Sequence, residues 1–140
     1  MYEYACKVER VVDGDTIDVV LDLGFDILHK CRVRLYGIDT PESRTRNLDE
    51  KARGKMAGAF LSDAINSGNK VVLQTRLKDS KGKYGRVLGE VIVDGENINQ
   101  SMIDANLAVG YFGQSKDEAE KEHLENRQIL IDNGLFEPVN

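Results

Sequence analysis

The sequence contains no tryptophan, only two cysteines, two prolines and two histidines, and no long apolar run. Its longest uncharged stretch, Ala105 to Ser115, is far too short to cross a bilayer. Cys6 and Cys31 have neither a CxxC spacing nor a nearby histidine pair, which argues against a zinc site and predicts buried free thiols. The two histidines, His29 and His123, are isolated in the sequence, and we assign neither any chemistry.

Basic charge is in deficit overall but concentrated in the middle of the chain. The formal net charge is −5, which argues against indiscriminate binding to polyanions. Residues 43–90 nevertheless carry 11 basic and 5 acidic side chains, whereas the flanking segments are acidic. A basic middle segment could hold a phosphate backbone locally, although a solvated helix face with mixed charges explains it equally well.

The chain of 140 residues fits a single domain, 1–140, that can bury a core without disulfides. Alternating apolar residues predict five strands, and capping signals predict three helices. The strands are Tyr4 to Val12, Thr16 to Leu23, Leu28 to Tyr36, Lys70 to Leu77 and Arg86 to Val93; the helices run from Asn47 to about Ile65, from Asn97 to about Ala105 and from Lys116 to about Asn133. The core-facing residues predicted on the first helix are Leu48, Ala52, Met56, Ala59, Phe60 and Ala64. This order is typical of an OB-fold five-stranded barrel with three helices, a mainly β fold with α (α+β).

The stretch VVDGDTI, from Val11 to Ile17, places two aspartates around Gly14. Asp-Gly between two strand-like runs predicts a tight hairpin turn, because glycine accepts the positive φ that such a turn requires. Taken alone, the turn is the better interpretation, with Asp13 capping it and Asp15 solvated. A binding role for the aspartates depends on other parts of the chain.

Two further segments stand out: RLYGIDTPE, from Arg34 to Glu42, and KYGR, from Lys83 to Arg86. With VVDGDTI they resemble the staphylococcal nuclease (thermonuclease) family over nearly the whole chain, in the order of elements and in the spacing of the first two motifs. The chain departs from the family pattern in SRTRNLDEKARGKMAG, where basic residues and Met56 replace the more usual Gly-x-Glu-Ala. We interpret this segment either as an additional strand-binding rim or as a solvated surface.

The carboxylates of these motifs suit a hard divalent cation. Asp15 and Asp39 supply anionic oxygens with no sulfur or imidazole beside them, and a backbone carbonyl can add a third ligand, so calcium or magnesium is favoured over zinc. The resemblance implies that Asp15, Asp39 and the Thr40 carbonyl bind Ca²⁺ directly and that Asp13 contributes through water. The turn is then expected to serve both as a hairpin and as part of a cation site.

Glu42 follows a proline, whose fixed φ stiffens the segment and holds the carboxylate in a definite direction. The resemblance implies that Glu42 orients or deprotonates the attacking water. Orientation alone could suffice, because a bound metal ion already makes its water more acidic. A rigid Pro-Glu loop with a solvated carboxylate is the alternative interpretation.

Two arginines, Arg34 and Arg86, are implied by the resemblance to contact the scissile phosphate. Arg34 lies five residues before Asp39, which puts the two side chains on opposite faces of a regular strand unless the chain bends at Gly37. Arg32 shares the face of Arg34, so the residues alone cannot distinguish these two arginines. Only the family match favours Arg34.

The resemblance also implies three substrate-binding residues. Lys83 and Tyr84 match positions that contact the terminal phosphate of the nucleotide, and Tyr111 resembles a ring that packs on the base. Core packing is the alternative for Tyr111, and the chain has a small deletion relative to the family pattern at this position.

The resemblance implies a Ca²⁺-dependent, sugar-nonspecific endonuclease that hydrolyses DNA and RNA and leaves 3′-phosphate ends, and we expect it to act as a monomer. The alternative is a non-catalytic nucleic-acid-binding module of the same fold, but such modules have lost the carboxylates that this chain retains. A plain single-strand-binding OB domain would need an aromatic stacking platform, and only nine of 140 residues are Tyr or Phe. The sequence starts without an apolar leader, so it predicts a cytoplasmic protein, or a secreted one if a leader was removed.

Overall fold

The computed structural model describes residues 2–76 and 87–139, and within them the chain forms eight strands and three helices. The strands are β1 (Tyr2–Asp13), β2 (Thr16–Asp22), β3 (Leu28–Leu35), β4 (Ile38–Asp39), β5 (Val71–Arg76), β6 (Val87–Val93), β7 (Glu96–Asn97) and β8 (Val109–Gly110). The helices are α1 (Leu48–Asn66), α2 (Ile98–Asp104) and α3 (Lys116–Asp132). None of these helices is long and apolar enough to span a membrane.

Five of the strands close into a barrel. β1 pairs antiparallel with β2 and with β5, β2 pairs with β3, and β5 pairs with β6. A parallel pairing between β3 and β6 completes the circuit. Alternate residues of β6, which are Gly89, Val91 and Val93, are buried, as expected for a strand that lines a barrel interior. The predicted OB-fold barrel with three helices, mixed α and β, is confirmed.

The barrel interior and the inner face of α1 form one apolar core. β2 contributes Ile17, Val19 and Leu21, and β3 contributes Val33 and Leu35, all of them buried. Asn residues start two of the helices as predicted, since the side chain of Asn47 accepts from the N–H of Glu50 and that of Asn97 accepts from the N–H of Gln100. Cys6 and Cys31 are free and only partly buried.

The face that α1 turns to the core differs from the predicted one. Leu48 is 53% exposed and Ala59 is also exposed, whereas the other predicted residues are partly buried. Small residues lie on the buried face at the points of closest approach, because Gly54 packs against the backbone of Pro41 and Glu42 and Ala57 packs against Gly14. The fully buried positions of α1 are Arg53, Gly54, Ala57, Leu61 and Ile65.

Asp49, in the first turn of α1, joins this helix to α3 and to the end of the chain. Its Oδ1 accepts hydrogen bonds from Nε of Arg53 at 3.0 Å and from Nε of Arg127 at 2.9 Å. Its Oδ2 accepts from Nη2 of Arg127 and from the N–H of Val139, both at 3.1 Å. Hydrogen bonds from Arg127, followed by those from Val139 and Arg53, hold the pKa of this carboxyl at about 2, below its ordinary value of 3.8.

We expect Asp49→Asn to lower the free energy of unfolding by about 2 kcal/mol at pH 7, because it removes the charge that two arginines share. The folded-state pKa is depressed, so the contribution is present above pH 4 and is lost as the pH falls towards 2. Urea denaturation from pH 7 to pH 2 should therefore show the two proteins converging in stability. Asp63→Asn, at an exposed position of the same helix, should change the unfolding free energy by less than about 0.5 kcal/mol.

Candidate active site

The turn between β1 and β2 brings the first carboxylates to the site. Gly14 and Asp15 form a two-residue turn, which confirms the hairpin prediction. The expected reason for the glycine is wrong, because Gly14 does not adopt a positive φ. A Cβ at Gly14 would lie 2.7 Å from the Cβ of Ala57 and 3.1 Å from Oγ1 of Thr40. The glycine is therefore required for space, since the turn packs directly against α1 and the segment after β4.

Arg34 lies between two carboxylates at the end of β3. Its Nη2 is 3.6 Å from Oδ2 of Asp15 and 3.6 Å from Oδ1 of Asp39. Its Nη1 donates to the backbone carbonyls of Leu35 and Ile38, both at 2.9 Å. These carbonyl contacts hold the guanidinium in place, with the side chain 18% exposed. Two negative charges and one fixed positive charge thus meet at this point.

The structure distinguishes Arg34 from Arg32 by position. Gly37 has a φ of +78°, and the chain bends there between β3 and β4, so Arg34 and Asp39 reach the same side despite their odd spacing. Arg32 instead pairs with Asp18 on the neighbouring strand, with Nε 2.8 Å from Oδ1 and the arginine side chain 48% exposed. The structure therefore brings Arg34, and not Arg32, to the aspartates.

The segment after β4 carries Thr40 and Glu42 past the same point. Thr40 is buried, and its N–H donates to Oδ2 of Asp15 at 3.4 Å. Burial raises the pKa of Glu42 above its ordinary value, and so do the negative charges of neighbouring carboxylates, which are Asp15, Asp39, Glu50 and Asp13. Negative charge therefore accumulates here, and a divalent cation would offset it.

The donor set fits a hard cation. The carboxylates of Asp15 and Asp39 and the carbonyl of Thr40 are oxygen ligands of the kind that Ca²⁺ and Mg²⁺ bind. Among residues 2–76 and 87–139, no three Asp, Glu, His or Cys side chains group closely enough to hold a metal ion by themselves. A cation at Asp15 and Asp39 would thus need the Thr40 carbonyl, water and substrate oxygens to complete its shell. Asp13 lies at the edge of the cluster, where Oδ1 accepts from Oγ of Ser43 at 2.6 Å.

Gly54 of α1 sets the position of the segment that carries Glu42. A Cβ at Gly54 would lie 2.6 Å from the carbonyl oxygen of Pro41 and 2.9 Å from the carbonyl carbon of Glu42. Backbone atoms cannot move aside as a flexible side chain can. Gly58 lies one turn further along α1, and a Cβ added there would have its nearest neighbouring atom, the backbone nitrogen of Gly14, 3.9 Å away.

We expect Gly54→Ala and Gly58→Ala to change stability in opposite directions. The added methyl at Gly54 should cost about 1–3 kcal/mol of unfolding free energy through overpacking. The same change at Gly58 should stabilise the protein by about 0.5–1 kcal/mol, because alanine is the better helix former and the space is open. Urea denaturation of both variants measures the difference. Equal effects from the two changes would contradict the close packing at Gly54.

His123 is a residue of the site that the sequence analysis left without a role. It lies on α3, is only 6% exposed, and its Nε2 is 2.8 Å from Oδ2 of Asp39. The expectation that no imidazole accompanies the aspartates is therefore wrong, because a residue 84 positions away comes into contact through the fold. The signal available in the sequence is helical periodicity, since Ala119, His123 and Leu130 share the buried face of α3. A polar side chain on such a face requires a partner.

A cleft of about 330 Å³ opens beside these groups. The residues that line it include Arg34, Asp39, Glu42, Glu50, Tyr111 and Lys116. Tyr111 is 39% exposed, so its side chain is not part of the core. Its backbone N–H donates to the carbonyl of Gly37 at 2.8 Å. Lys116, the first residue of α3, is a basic group of the cleft that the sequence analysis did not select.

Three predicted residues, Lys83, Tyr84 and Arg86, lie outside the described residues. The basic rim predicted in the 43–58 segment is smaller than expected. Arg53 is 4% exposed and pairs with Asp49 at 3.0 Å, so it is a structural residue. Arg44, Arg46 and Lys55 are exposed and are the residues of this segment that a rim could use.

The fold and the site together define a class of protein, which is an OB-fold barrel with an arginine held between carboxylates at the edge of a surface cleft. Residues 32–130 match the sequence model of the family described as Staphylococcal nuclease homologue. The chain belongs to this family.

Curated relatives carry the same domain within longer proteins. The chain is 32% identical to the SPbeta prophage-derived endonuclease YokF of Bacillus subtilis over 91% of this chain and 44% of the relative. It is 34% identical to the endonuclease YhcR of the same organism over 79% of this chain and 9% of the relative. It is 37% identical to the thermonuclease of Staphylococcus intermedius over 75% of this chain and 58% of the relative. The chain thus spans less than two thirds of each of these relatives.

Proposed function

We propose that the protein is a Ca²⁺-dependent, sugar-nonspecific endonuclease that hydrolyses phosphodiester bonds of DNA and RNA and leaves 3′-phosphate ends. The observation that carries this proposal is the position of Arg34, with Nη2 3.6 Å from the carboxylates of both Asp15 and Asp39 at the edge of a cleft. Relatives named endonuclease and thermonuclease support the same reaction class.

Phosphodiester hydrolysis places extra negative charge on the phosphate oxygens in the transition state. Arg34 suits that charge because carbonyls at 2.9 Å already fix its guanidinium, so little reorganisation is needed when the charge develops. Its planar donor group can contact two phosphate oxygens at once. We propose the same role for Arg86, which lies outside the described residues.

The cation would be held by Asp15, Asp39 and the carbonyl of Thr40, with Asp13 contacting it through water. When bound, Ca²⁺ supplies Lewis-acid polarisation of the phosphate and makes a bound water more acidic. The crowding of carboxylates around Glu42 supports such a role, because the cluster needs positive charge beyond that of Arg34.

Glu42 is the proposed group that orients or deprotonates the attacking water. The stiff Pro41 segment and the close contact with Gly54 hold its backbone in place beside Asp15 and Asp39. Water adds to phosphorus, the bond from phosphorus to the 5′ oxygen breaks, and the 3′ oxygen keeps the phosphate. The 5′ oxygen leaves as a hydroxyl with one of the two protons of the attacking water, and the oxygen of that water stays on the phosphate.

Among the described residues that line the cleft, Tyr111 and Lys116 are the proposed substrate contacts. The half-exposed ring of Tyr111 offers a stacking surface for a base, and Lys116 offers positive charge to the backbone. Lys83 and Tyr84 are proposed to bind the terminal phosphate. A sugar-nonspecific reaction is expected if the recognised groups are phosphate and base.

Digestion of plasmid DNA and of RNA with Ca²⁺, Mg²⁺ or EDTA tests the proposal. We expect cleavage of both polymers in Ca²⁺, slower cleavage in Mg²⁺, whose small octahedral shell tolerates irregular ligands less well, and none in EDTA. A retarded but intact nucleic acid in every condition would indicate a binding module instead. Undiminished cleavage in EDTA would rule out the cation dependence.

A further inference from the structure

The contact between His123 and Asp39 joins α3 to the candidate site. His123 is 6% exposed, and its Nε2 lies 2.8 Å from Oδ2 of Asp39. An ionised carboxylate can only accept hydrogen bonds, so Nε2 of the imidazole carries the hydrogen and donates it. The histidine therefore hydrogen-bonds to one of the two carboxylate oxygens of Asp39.

α3 is held firmly at this point. Arg127, one turn after His123, donates two hydrogen bonds to Asp49 of α1, at 2.9 Å and 3.1 Å. Asn126 donates to the carbonyl of Ala108 at 3.2 Å. His123 thus projects from a helix that is anchored to two other parts of the fold.

The side chain of Asp39, in contrast, has only His123 and Arg34 as hydrogen-bonding or ionic partners among the described residues. Asp39 lies in β4, a strand of two residues, and its side chain is 31% exposed. The terminal torsion of an aspartate is broad, so the carboxylate could rotate and exchange its two oxygens. The hydrogen bond from His123 fixes this rotation with Oδ2 turned to α3 and Oδ1 turned towards Arg34, 3.6 Å away.

We propose that His123 is a positioning residue of the cation site, which holds Oδ2 of Asp39 so that this carboxylate offers Oδ1 alone to the cation. The inference rests on the proposed function, because it assigns Asp39 as a cation ligand. Partners that hydrogen-bond to ligating carboxylates fix the orientation of the ligand and strengthen cation binding. Here the partner reaches the ligand from a different element of the fold, 84 residues away in sequence.

Two substitutions of nearly equal polarity separate the hydrogen bond from simple burial. In His123→Gln, the amide nitrogen reaches the place of Nε2 and can still donate to Asp39. In His123→Asn, the amide ends near the place of Nδ1 and is too short to do so. Calorimetric titration of CaCl₂ into each folded protein without nucleic acid gives the Ca²⁺ affinity directly.

We expect His123→Asn to weaken Ca²⁺ binding by about 10- to 100-fold. This is the range found when a residue that hydrogen-bonds to a metal ligand is removed. His123→Gln should stay within about threefold of the unmodified protein. Asn126→Ala is the matched control, because it disturbs the docking of α3 without touching Asp39, and its Ca²⁺ affinity should be unchanged.

Equal Ca²⁺ affinity in His123→Asn and the unmodified protein would overturn the inference and leave the proposed function standing. Equal losses in the Gln and Asn variants, or an equal loss in Asn126→Ala, would also overturn it, because helix docking and not the hydrogen bond would then be the cause. Failure of the unmodified protein to bind Ca²⁺ would overturn both the proposed function and the inference.

Discussion

Arg34→Ala should lower kcat for phosphodiester cleavage by about 10² to 10⁵, with a much smaller change in affinity for the nucleic acid. The guanidinium is fixed by the carbonyls of Leu35 and Ile38 and lies beside Asp15 and Asp39, so it is placed to meet charge that develops only in the transition state. A simple phosphate contact would instead contribute to binding and leave kcat nearly unchanged.

Arg32→Ala is the matched control for this variant. Arg32 shares the strand and the charge of Arg34, but it pairs with Asp18 and its side chain is 48% exposed. Its kcat should change less than about tenfold. Single-turnover cleavage of a labelled oligonucleotide at saturating enzyme and fixed salt measures both variants, and Arg86→Ala should behave like Arg34→Ala. A large loss of kcat in Arg32→Ala, with kcat retained in Arg34→Ala, would show that the assignment of the two arginines is reversed.

Asp39→Asn should abolish measurable Ca²⁺ binding and lower kcat by about 10³ or more, because it removes one of the two charged ligands that we propose for the cation. Asparagine keeps the shape of the side chain and an oxygen that can accept the hydrogen bond from His123. The barrel should therefore fold normally, with an unfolding free energy within about 1 kcal/mol of the unmodified protein. Calorimetry and urea denaturation measure the two quantities separately.

Asp18→Asn is the control for the loss of one carboxylate. Asp18 is an acidic residue of β2 with a side-chain exposure of 29%, close to the 31% of Asp39, but it pairs with Arg32 away from the cleft. Its Ca²⁺ affinity and kcat should match those of the unmodified protein within about threefold. Unchanged Ca²⁺ affinity in Asp39→Asn would remove this residue from the ligand set.

The barrel could be predicted from the sequence because its strands have the alternating pattern that a half-buried strand requires, and because glycine and asparagine mark the turns and caps. The inner residues Ile17, Val19, Val33 and Leu35 follow that alternation closely. The core-facing side of α1 could not be predicted in the same way. Apolarity favoured Leu48, whereas close contact between backbones favoured Gly54 and its neighbours.

Within the candidate site, the residues adjacent in sequence were predictable and the long-range contact was not. Asp15, Asp39 and Glu42 lie in short motifs, and the structure brings them together, so that burial and the two aspartates raise the pKa of Glu42. The position of Arg34 depends on the bend at Gly37, which strand periodicity alone does not contain. His123 reaches Asp39 only through the packing of α3 against the barrel. The spacing of these two residues in the sequence does not predict that contact.

Cleavage of an end-labelled single-stranded DNA oligonucleotide, followed by phosphatase treatment, tests the central claim most directly. The account predicts fragments in Ca²⁺ whose mobility changes when the phosphatase removes a 3′-phosphate, and no fragments in EDTA or with Arg34→Ala over the same time. An oligonucleotide that the unmodified protein binds in Ca²⁺ but leaves intact would contradict the account and would make the protein a binding module.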